Sequence, residues 1–255
     1  MGSVSGFEQK RIDFRFESVA PSLRGLRVVH LTDFHLRTRW DHAYDELIEW
    51  LRRDPPDMVL YTGDFVDDKW DHRPALPTLQ RLVTQLASRH GLYAILGNHD
   101  GDLLAPRVIG WNVKLIAGRR ELVQTSHGPV ELIGLPSVAR SDLHDSFIES
   151  LPPRRPDLLR IVLAHFPDQI RRIRLLAADL VLAGHTHGGQ ICTPWGWPPI
   201  THDSLPRRYA RGVHRVDGSW LVVNRGFGFA TFAVRAFCPA EVIEIHVNPG
   251  AAPAV

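Results

Sequence analysis

The sequence predicts an α/β protein with four layers, in which two mixed sheets pack on each other and helices flank them as an α/β/β/α sandwich. Two observations lead to this fold class. Short apolar strands alternate with amphipathic helices in the first part of the chain, and a block of strands follows. Because 255 residues suffice for one large domain and neither a repeat nor a linker divides them, residues 1–255 are predicted to form a single domain.

The strands of the alternating part are apolar, rich in β-branched residues, and end at polar turns. They are predicted over residues 26–32, 57–61, 92–96, 160–164 and 179–183. The helices between them show apolar residues three and four positions apart, as Leu47, Ile48 and Leu51 do. Helices are predicted over residues 41–53, 75–89, 145–150 and 168–176.

The rest of the chain is less regular. Short antiparallel strands are predicted over residues 113–117, 121–125 and 130–135, and later strands over 213–215, 220–224 and 242–247. Residues 1–20 are interpreted as a lead-in. Residues 191–211, which are rich in Pro and Trp, are predicted to be an irregular segment of the active site.

Composition excludes several classes of protein. A net charge of +2 gives no reason to expect nucleic-acid binding, and no protein partner is indicated. No apolar run approaches the ~20 residues of a membrane span, and no signal peptide is recognisable. Cytoplasmic and peripheral membrane locations both stay open, as does the loss of an N-terminal anchor. Cys192 and Cys238 are expected to be free thiols.

Two histidines follow the strand at 179–183 within the sequence Gly184-His185-Thr186-His187-Gly188-Gly189-Gln190. In extended backbone, residues two apart point to the same side of the chain. We therefore expect both imidazoles to face a ligand above the strand end, with the surrounding glycines allowing a close backbone approach.

Five strand ends carry oxygen or nitrogen donors. Each has an ordinary explanation alone, such as a cap, a turn or a core histidine, but together they indicate metal binding. The candidate ligands are Asp33, His35, Asp64, Asn98, His165, His185 and His187. Four imidazoles without a thiolate favour Mn²⁺, Fe or Zn²⁺. Seven ligands fit two ions about 3.5–4 Å apart that share a carboxylate.

These motifs, together with Asp67, His99 and Asp100, resemble the calcineurin-like metallophosphoesterases in order and spacing over residues 26–190. Within that family, three sequences are similar to a bacterial branch of often membrane-associated phosphodiesterases. They are Gly184 to Gln190, Pro206 to Gly212 and Asn224-Arg225-Gly226.

The resemblance implies two divalent transition metal ions, with Mn²⁺ favoured and Fe or Zn²⁺ as alternatives. It implies Asp33, His35 and His187 as ligands of one ion, Asn98, His165 and His185 as ligands of the other, and Asp64 as the bridge. It further implies that His99 contacts the phosphate and protonates the leaving group, while the Asp67 carboxylate orients His99. The implied reaction is attack of a metal-bridging hydroxide on phosphorus.

The segment 191–211 carries aromatic and cationic side chains directly after the metal-binding turn. Trp195, Trp197, Arg207 and Arg208 are candidate substrate-binding residues, because aromatic faces beside guanidinium groups suit phosphorylated ligands. The alternative is a Pro-stiffened lid whose tryptophans pack onto the core.

Three functions are considered. The first is hydrolysis of a phosphodiester or pyrophosphate bond in a small or lipid-linked substrate, with peripheral membrane association as an accompanying possibility. The second is a phosphomonoesterase or an enzyme similar to UDP-2,3-diacylglucosamine pyrophosphatase. The third is a non-catalytic metal-binding protein, against which the intact His99 and Asp67 argue.

Overall fold

The computed structural model describes residues 6–17, 19–136, 141–230 and 232–250, in which twelve strands form two six-stranded sheets. The first sheet contains β1 (Glu8–Phe16), β2 (Leu26–Leu31), β3 (Met58–Tyr61), β4 (Leu92–Ala94), β5 (Val113–Leu115) and β12 (Glu241–Pro249). The second contains β6 (Arg119–Thr125), β7 (Gly128–Gly134), β8 (Leu159–Leu163), β9 (Leu180–Ala183), β10 (Gly212–Val216) and β11 (Ser219–Val223). The strand orders are β1-β12-β2-β3-β4-β5 and β10-β11-β9-β8-β7-β6.

Five α-helices lie among the described residues. They are α1 (His42–Arg53), α2 (Leu76–Val83), α3 (Gly101–Val108), α4 (Ser141–Ser150) and α5 (Ile170–Ile173). The side chain of Asp41 caps α1 by accepting a hydrogen bond from the amide of Ala43 at 3.0 Å. No helix in the described ranges has the length and hydropathy needed to cross a bilayer.

Three apolar clusters fill the spaces between the layers. Val28 of β2 and Leu182 of β9 belong to the cluster between the sheets, whereas Val29 belongs to the cluster beneath α1 and α2. Neighbouring residues of one strand thus enter different clusters, as the two-residue repeat of a strand requires. A third cluster packs α4 and α5 on the second sheet. The predicted α/β/β/α sandwich of two mixed sheets is confirmed, and the single domain over residues 1–255 stays a prediction.

Several elements differ from the prediction. The lead-in contains β1, which pairs in parallel with β12 at the edge of the first sheet, and α3 was not predicted. β5 pairs in parallel with β4, so the antiparallel prediction is wrong for it, although it holds for β6 and β7. The helix predicted over 75–89 ends at Val83. The helix predicted over 168–176 is split into a short α5 between two 3₁₀ turns.

The topology brings the metal-binding motifs to one place. β2, β3 and β4 are parallel neighbours in the first sheet, and β8 and β9 are parallel neighbours in the second. The carboxyl ends of parallel strands lie at the same edge of a sheet, where α/β proteins bind ligands. The loops after these five strands therefore converge where the carboxyl edges of the two sheets lie next to each other.

Candidate metal centre

Most of the candidate ligands lie in loops whose backbone is left-handed. A positive φ is uncommon for residues other than glycine and clusters at functional sites. Five of the seven candidates have φ between 46° and 65°, namely Asp33, His35, Asp64, His185 and His187. The extended backbone expected for His185 and His187 is therefore wrong. The turn instead sends the two imidazoles into different groups of side chains.

The first group consists of Asp33, His35 and His187, which are all buried. The Nε2 atoms of the two histidines are 3.0 Å apart. Asp33 Oδ1 lies 3.6 Å from His187 Nε2 and 4.0 Å from His35 Nε2. Three donor atoms thus converge from the loops after β2 and β9.

The second group consists of Asp64, His165 and His185. Asp64 Oδ2 lies 3.4 Å from His165 Nε2, and the side-chain oxygen of Asn98 lies 3.0 Å from the same nitrogen. The loops after β3, β4, β8 and β9 supply these four side chains. All residues assigned to the second ion are therefore brought together.

Asp64 lies between the two groups. Its Oδ2 atom is 3.4 Å from His165 Nε2 in the second group and also 3.4 Å from His35 Nε2 in the first. A carboxylate in this position can contact cations on both sides. This is the geometry expected of a bridging ligand.

The donor atoms fit transition metal ions in chemistry and in spacing. Ligand atoms that each lie about 2.1 Å from one ion are themselves about 3.0–3.4 Å apart. The donor atoms of His35, His187, Asp64, His165 and Asn98 are separated by the same 3.0–3.4 Å. Burial lowers the pKa of His185 to about 3 and holds the pKa of His187 well below its usual range. Both imidazoles are therefore neutral, as a metal ligand must be. The Asp64 carboxylate instead raises the pKa of His165 to about 9, so this ring must lose a proton when a cation binds.

Hydrogen bonds to the remote ring nitrogens fix the orientation of the histidines. His165 Nδ1 lies 2.7 Å from the carbonyl oxygen of Thr62, and His185 Nε2 lies 3.1 Å from the carbonyl oxygen of His202. A metal-binding histidine ordinarily donates its second N–H in this way. His202 was not recognised from the sequence, because its contact is made by a main-chain oxygen, which every residue type carries.

His99 lies at the edge of the first group, with its ring 4.7 Å from that of His35 and nearly perpendicular to it. Its Nδ1 is 2.5 Å from the main-chain oxygen of Asp67, and its amide donates to Asp64 Oδ1 at 2.8 Å. The Asp67 carboxylate accepts from Arg37 Nε at 2.9 Å and lies 3.5 Å from His35 Nδ1. Asp67 thus orients His99 through its carbonyl group, and the expected carboxylate contact is not the one observed.

Asp100 supports the site without reaching it. Its buried carboxylate accepts amide hydrogens from Asp64, Phe65 and Gly97 at 2.7–2.8 Å, and from Val66 at 3.3 Å. It therefore ties the loop after β3 to the loop after β4. No role is predicted for Asp100 from the sequence, although its position directly after His99 in the motif links it to the site.

The glycines of the motifs make room for the site's own side chains. A Cβ atom on Gly97 would lie 2.2 Å from Asp64 Oδ1, and one on Gly184 would lie 2.2 Å from Asp33 Oδ2. Gly189 is similarly close to Pro198. The close backbone approach expected at Gly184 and Gly189 is thus an approach to neighbouring protein groups.

The segment 191–211 contains a single 3₁₀ turn, Arg207–Ala210, among its described elements. Trp195 is 89% exposed and Trp197 is 53% exposed, so neither packs onto the core as the alternative of a lid would require. Arg207 and Arg208 are exposed as well, and Arg208 stacks on Tyr209.

Cys192 and Cys238 are free thiols, as predicted, and both are buried. Their sulfur atoms lie 3.3 and 3.5 Å from the carbonyl oxygen of Gly188. The two cysteines therefore pack against the turn that carries His187.

Comparison with known proteins agrees with this arrangement. The profile of the calcineurin-like phosphoesterases matches residues 26–189. The metallophosphoesterase YkoQ of Bacillus subtilis (strain 168) is 29% identical over 232 residues, which cover 87% of this chain and 83% of YkoQ. The UDP-2,3-diacylglucosamine pyrophosphatase LpxG of Chlamydia muridarum (strain MoPn / Nigg) is 27% identical, covering 91% of this chain and 86% of LpxG.

Two further proteins are similar. Phosphodiesterase YaeI of Escherichia coli (strain K12) is 27% identical over 75% of this chain and 70% of YaeI. The NAD nucleotidase NadN of Haemophilus influenzae shares the fold, with a TM-score of 0.50 and 12% identity over 84% of this chain and 45% of NadN. Since the family profile covers more than half of the chain, and covers every loop that builds the centre, the protein is a hydrolytic enzyme of the calcineurin-like phosphoesterase family.

Proposed function

We propose that the enzyme hydrolyses a phosphodiester or pyrophosphate bond with two divalent transition metal ions, Mn²⁺ being the preferred ion. Asp33, His35 and His187 would hold one ion, and Asn98, His165 and His185 the other. The observation that carries the proposal is the position of Asp64, whose Oδ2 atom is 3.4 Å from an imidazole nitrogen of each group. Two ions sharing a carboxylate polarise phosphoryl oxygens and lower the pKa of bound water when present.

The chain's own residues supply the remaining chemistry. The Asp67 carbonyl group can only accept a hydrogen bond, so it holds His99 in the tautomer with a proton on Nδ1. His99 Nε2 then faces away from the carbonyl, and when the ring is protonated this nitrogen can donate a hydrogen bond to a phosphoryl oxygen. In its protonated form the same nitrogen can donate a proton to the leaving group.

The substrate that we propose is a diester or pyrophosphate with a further anionic or apolar part. LpxG and YaeI, which are named for pyrophosphatase and phosphodiesterase activity, support a substrate of this kind. We propose that Arg207 and Arg208 contact a distal anionic group and that Trp195 and Trp197 contact the apolar part. Their exposure leaves all four side chains accessible to such a molecule.

The test is a paired assay of metal-loaded enzyme on an aryl phosphodiester and on the matching aryl phosphomonoester. We expect faster turnover of the diester, loss of activity after chelation and recovery on addition of Mn²⁺. A preference for the monoester would support the phosphomonoesterase alternative. Full activity after verified metal removal would contradict the proposed metal dependence.

A further inference from the structure

Exposed apolar side chains are concentrated in one region of the molecule. Of the twelve large hydrophobic residues that are exposed in the described ranges, seven come from two short segments. The seven are Ile191, Trp195, Trp197, Ile200, Phe232, Val234 and Phe237, with exposures of 44–89%. Contiguous apolar surface of this kind marks an interaction site more often than scattered exposed residues do.

The main chain joins the two segments. The amide of Cys192 donates to the carbonyl oxygen of Ala236 at 2.9 Å, and the amide of Ala236 donates to the carbonyl oxygen of Gln190 at 3.0 Å. The Gln190 side chain donates to the carbonyl oxygen of Phe232 at 2.8 Å. The start of the segment 191–200 therefore lies beside the segment 232–237. We call the exposed apolar side chains of the two segments the apolar face.

The apolar face adjoins the metal centre. Gln190 follows His187 in the same turn, and Arg235, between Val234 and Phe237, has Nη2 3.4 Å from His187 Nδ1. A cavity of about 80 Å³ lies beside the first metal group, and its lining includes His35, Arg37, Arg39, Asp41, Phe229 and Ala233. This cavity leads from a metal ligand to the start of the second segment.

The charge around the apolar face is mainly positive, although Asp41 also lines the cavity and Asp203 follows the first segment. Residues 191–202 and 226–238 contain no Asp or Glu, whereas Arg207, Arg208 and Arg39 are exposed nearby in the chain or beside the cavity. Aromatic side chains that project from the surface next to arginines suit the boundary between lipid headgroups and acyl chains. A membrane surface with anionic headgroups matches both the apolar side chains and the arginines.

We infer that the apolar face docks the enzyme on an anionic lipid surface, so that a lipid-linked substrate reaches the metal centre from the membrane plane. This inference rests on the proposed function for its substrate, but the docking can be measured without turnover. The name of LpxG, a diacylglucosamine pyrophosphatase, agrees with a substrate that carries acyl chains.

The experiment is sedimentation of the full chain with vesicles of phosphatidylglycerol and phosphatidylcholine, and with phosphatidylcholine alone. We expect binding to the anionic vesicles that weakens with added salt. The variant Phe232→Ser/Phe237→Ser removes two exposed aromatic side chains and should weaken binding by about tenfold or more. The matched control Leu103→Ser/Ile109→Ser changes residues that are 73% and 70% exposed elsewhere, and should bind like the wild type.

Hydrolysis of a soluble aryl diester separates docking from catalysis. The Phe232→Ser/Phe237→Ser variant should keep this activity, which would also show that it folds. If the double variant does not fold, vesicle sedimentation of the single Phe232→Ser variant tests the inference in its place. The inference is overturned if the wild type binds neither vesicle, if the control loses binding equally, or if the wild type is a dimer that the variant dissociates. Failure of the soluble assay in the wild type would instead contradict the proposed function.

Discussion

At the residue scale, the metal groups depend on side chains that hold strained loops together. Asp33, His35 and Asp64 adopt left-handed backbone, which persists only where the surroundings fix it. The Asp100 carboxylate does so for the loop of Asp64, by accepting that residue's amide and two of the amides that follow it. The free-energy cost of the left-handed backbone at Asp64 is thus offset by the hydrogen bonds that the Asp100 carboxylate accepts.

Asp64→Ala is expected to lower the bound metal more than substitution of any other ligand. Asp64 is placed to contact both ions, because Oδ2 lies 3.4 Å from His35 in one group and from His165 in the other. Elemental analysis of the purified variant measures the loss. A variant that keeps two equivalents of metal per chain would contradict the bridging position.

His99→Ala is expected to lower kcat by about 10²–10⁴-fold while metal content stays near that of the wild type. His99 contacts Asp67 and Asp64, and it lies outside the two ligand groups in a separate cluster with His35 and Asp67. The decrease should be smaller for an aryl leaving group, which needs little protonation. An equal decrease for poor and good leaving groups would assign His99 to phosphate binding, and loss of metal would make it a ligand.

At the element scale, the sequence predicts the positions of the buried strands well but misses β1, which forms one edge of the first sheet. β9 is apolar throughout, and β2 and β8 are apolar except for Arg27, His30 and Arg160, because both faces of these strands are covered. Their predicted and observed positions agree within a residue or two. β1 has charged residues at alternate positions and buries only Phe14 and Phe16, so it shows no apolar run. Its place in the sheet depends on pairing with β12, which is more than 200 residues away.

The helix and strand errors have similar physical causes. α3 begins at Gly101 and contains Pro106, both of which are unfavourable for a helix, yet Leu104 and Val108 bury its inner face. The direction of β5 is set by the crossover through α3, so missing the helix also made the strand's pairing wrong. Tertiary packing thus determines both the helical conformation of α3 and the parallel direction of β5.

The centre itself is predictable only in part. Strand ends and residue types located the ligand loops. The separation of His185 and His187 into two groups was implied only by the family resemblance, since it depends on positive φ angles. The contacts of Asp67 and His202 are made by main-chain oxygens, which every residue carries. Local sequence contains no signal for either.

Arg207 and Arg208, in the segment 191–211, are proposed to contact a distal anionic group of the substrate. Arg207→Ala/Arg208→Ala is expected to raise KM by about tenfold or more for a large phosphorylated substrate, the effect of losing one or two charge-assisted hydrogen bonds. A minimal aryl diester should be hydrolysed almost as by the wild type. Arg155→Ala, at an exposed arginine paired with Asp157, is the control. Equal effects on both substrates, or none on either, would contradict the proposed substrate contact.

At the scale of the whole molecule, the centre connects the two sheets. The first group combines residues from the loop after β2 in one sheet with His187 from the loop after β9 in the other. The second group likewise combines Asp64 from the first sheet with His165 and His185 from the second. A cation bound by either group therefore links the carboxyl edges of both sheets, and its binding free energy adds to the stability of the folded state.

Metal removal is accordingly expected to lower the melting temperature as well as abolish activity. A ligand at about 100 times its Kd stabilises the folded state by about 2.7 kcal/mol. For a chain of this size each kcal/mol corresponds to about 2–4 °C, so a decrease of about 5–10 °C is expected. Calorimetry before and after chelation, with Mn²⁺ added back, measures it. In Asp64→Ala, which is expected to bind less metal, the chelator should change the melting temperature much less. If the wild type loses about two equivalents of metal without a change in melting temperature, the ions do not link the sheets.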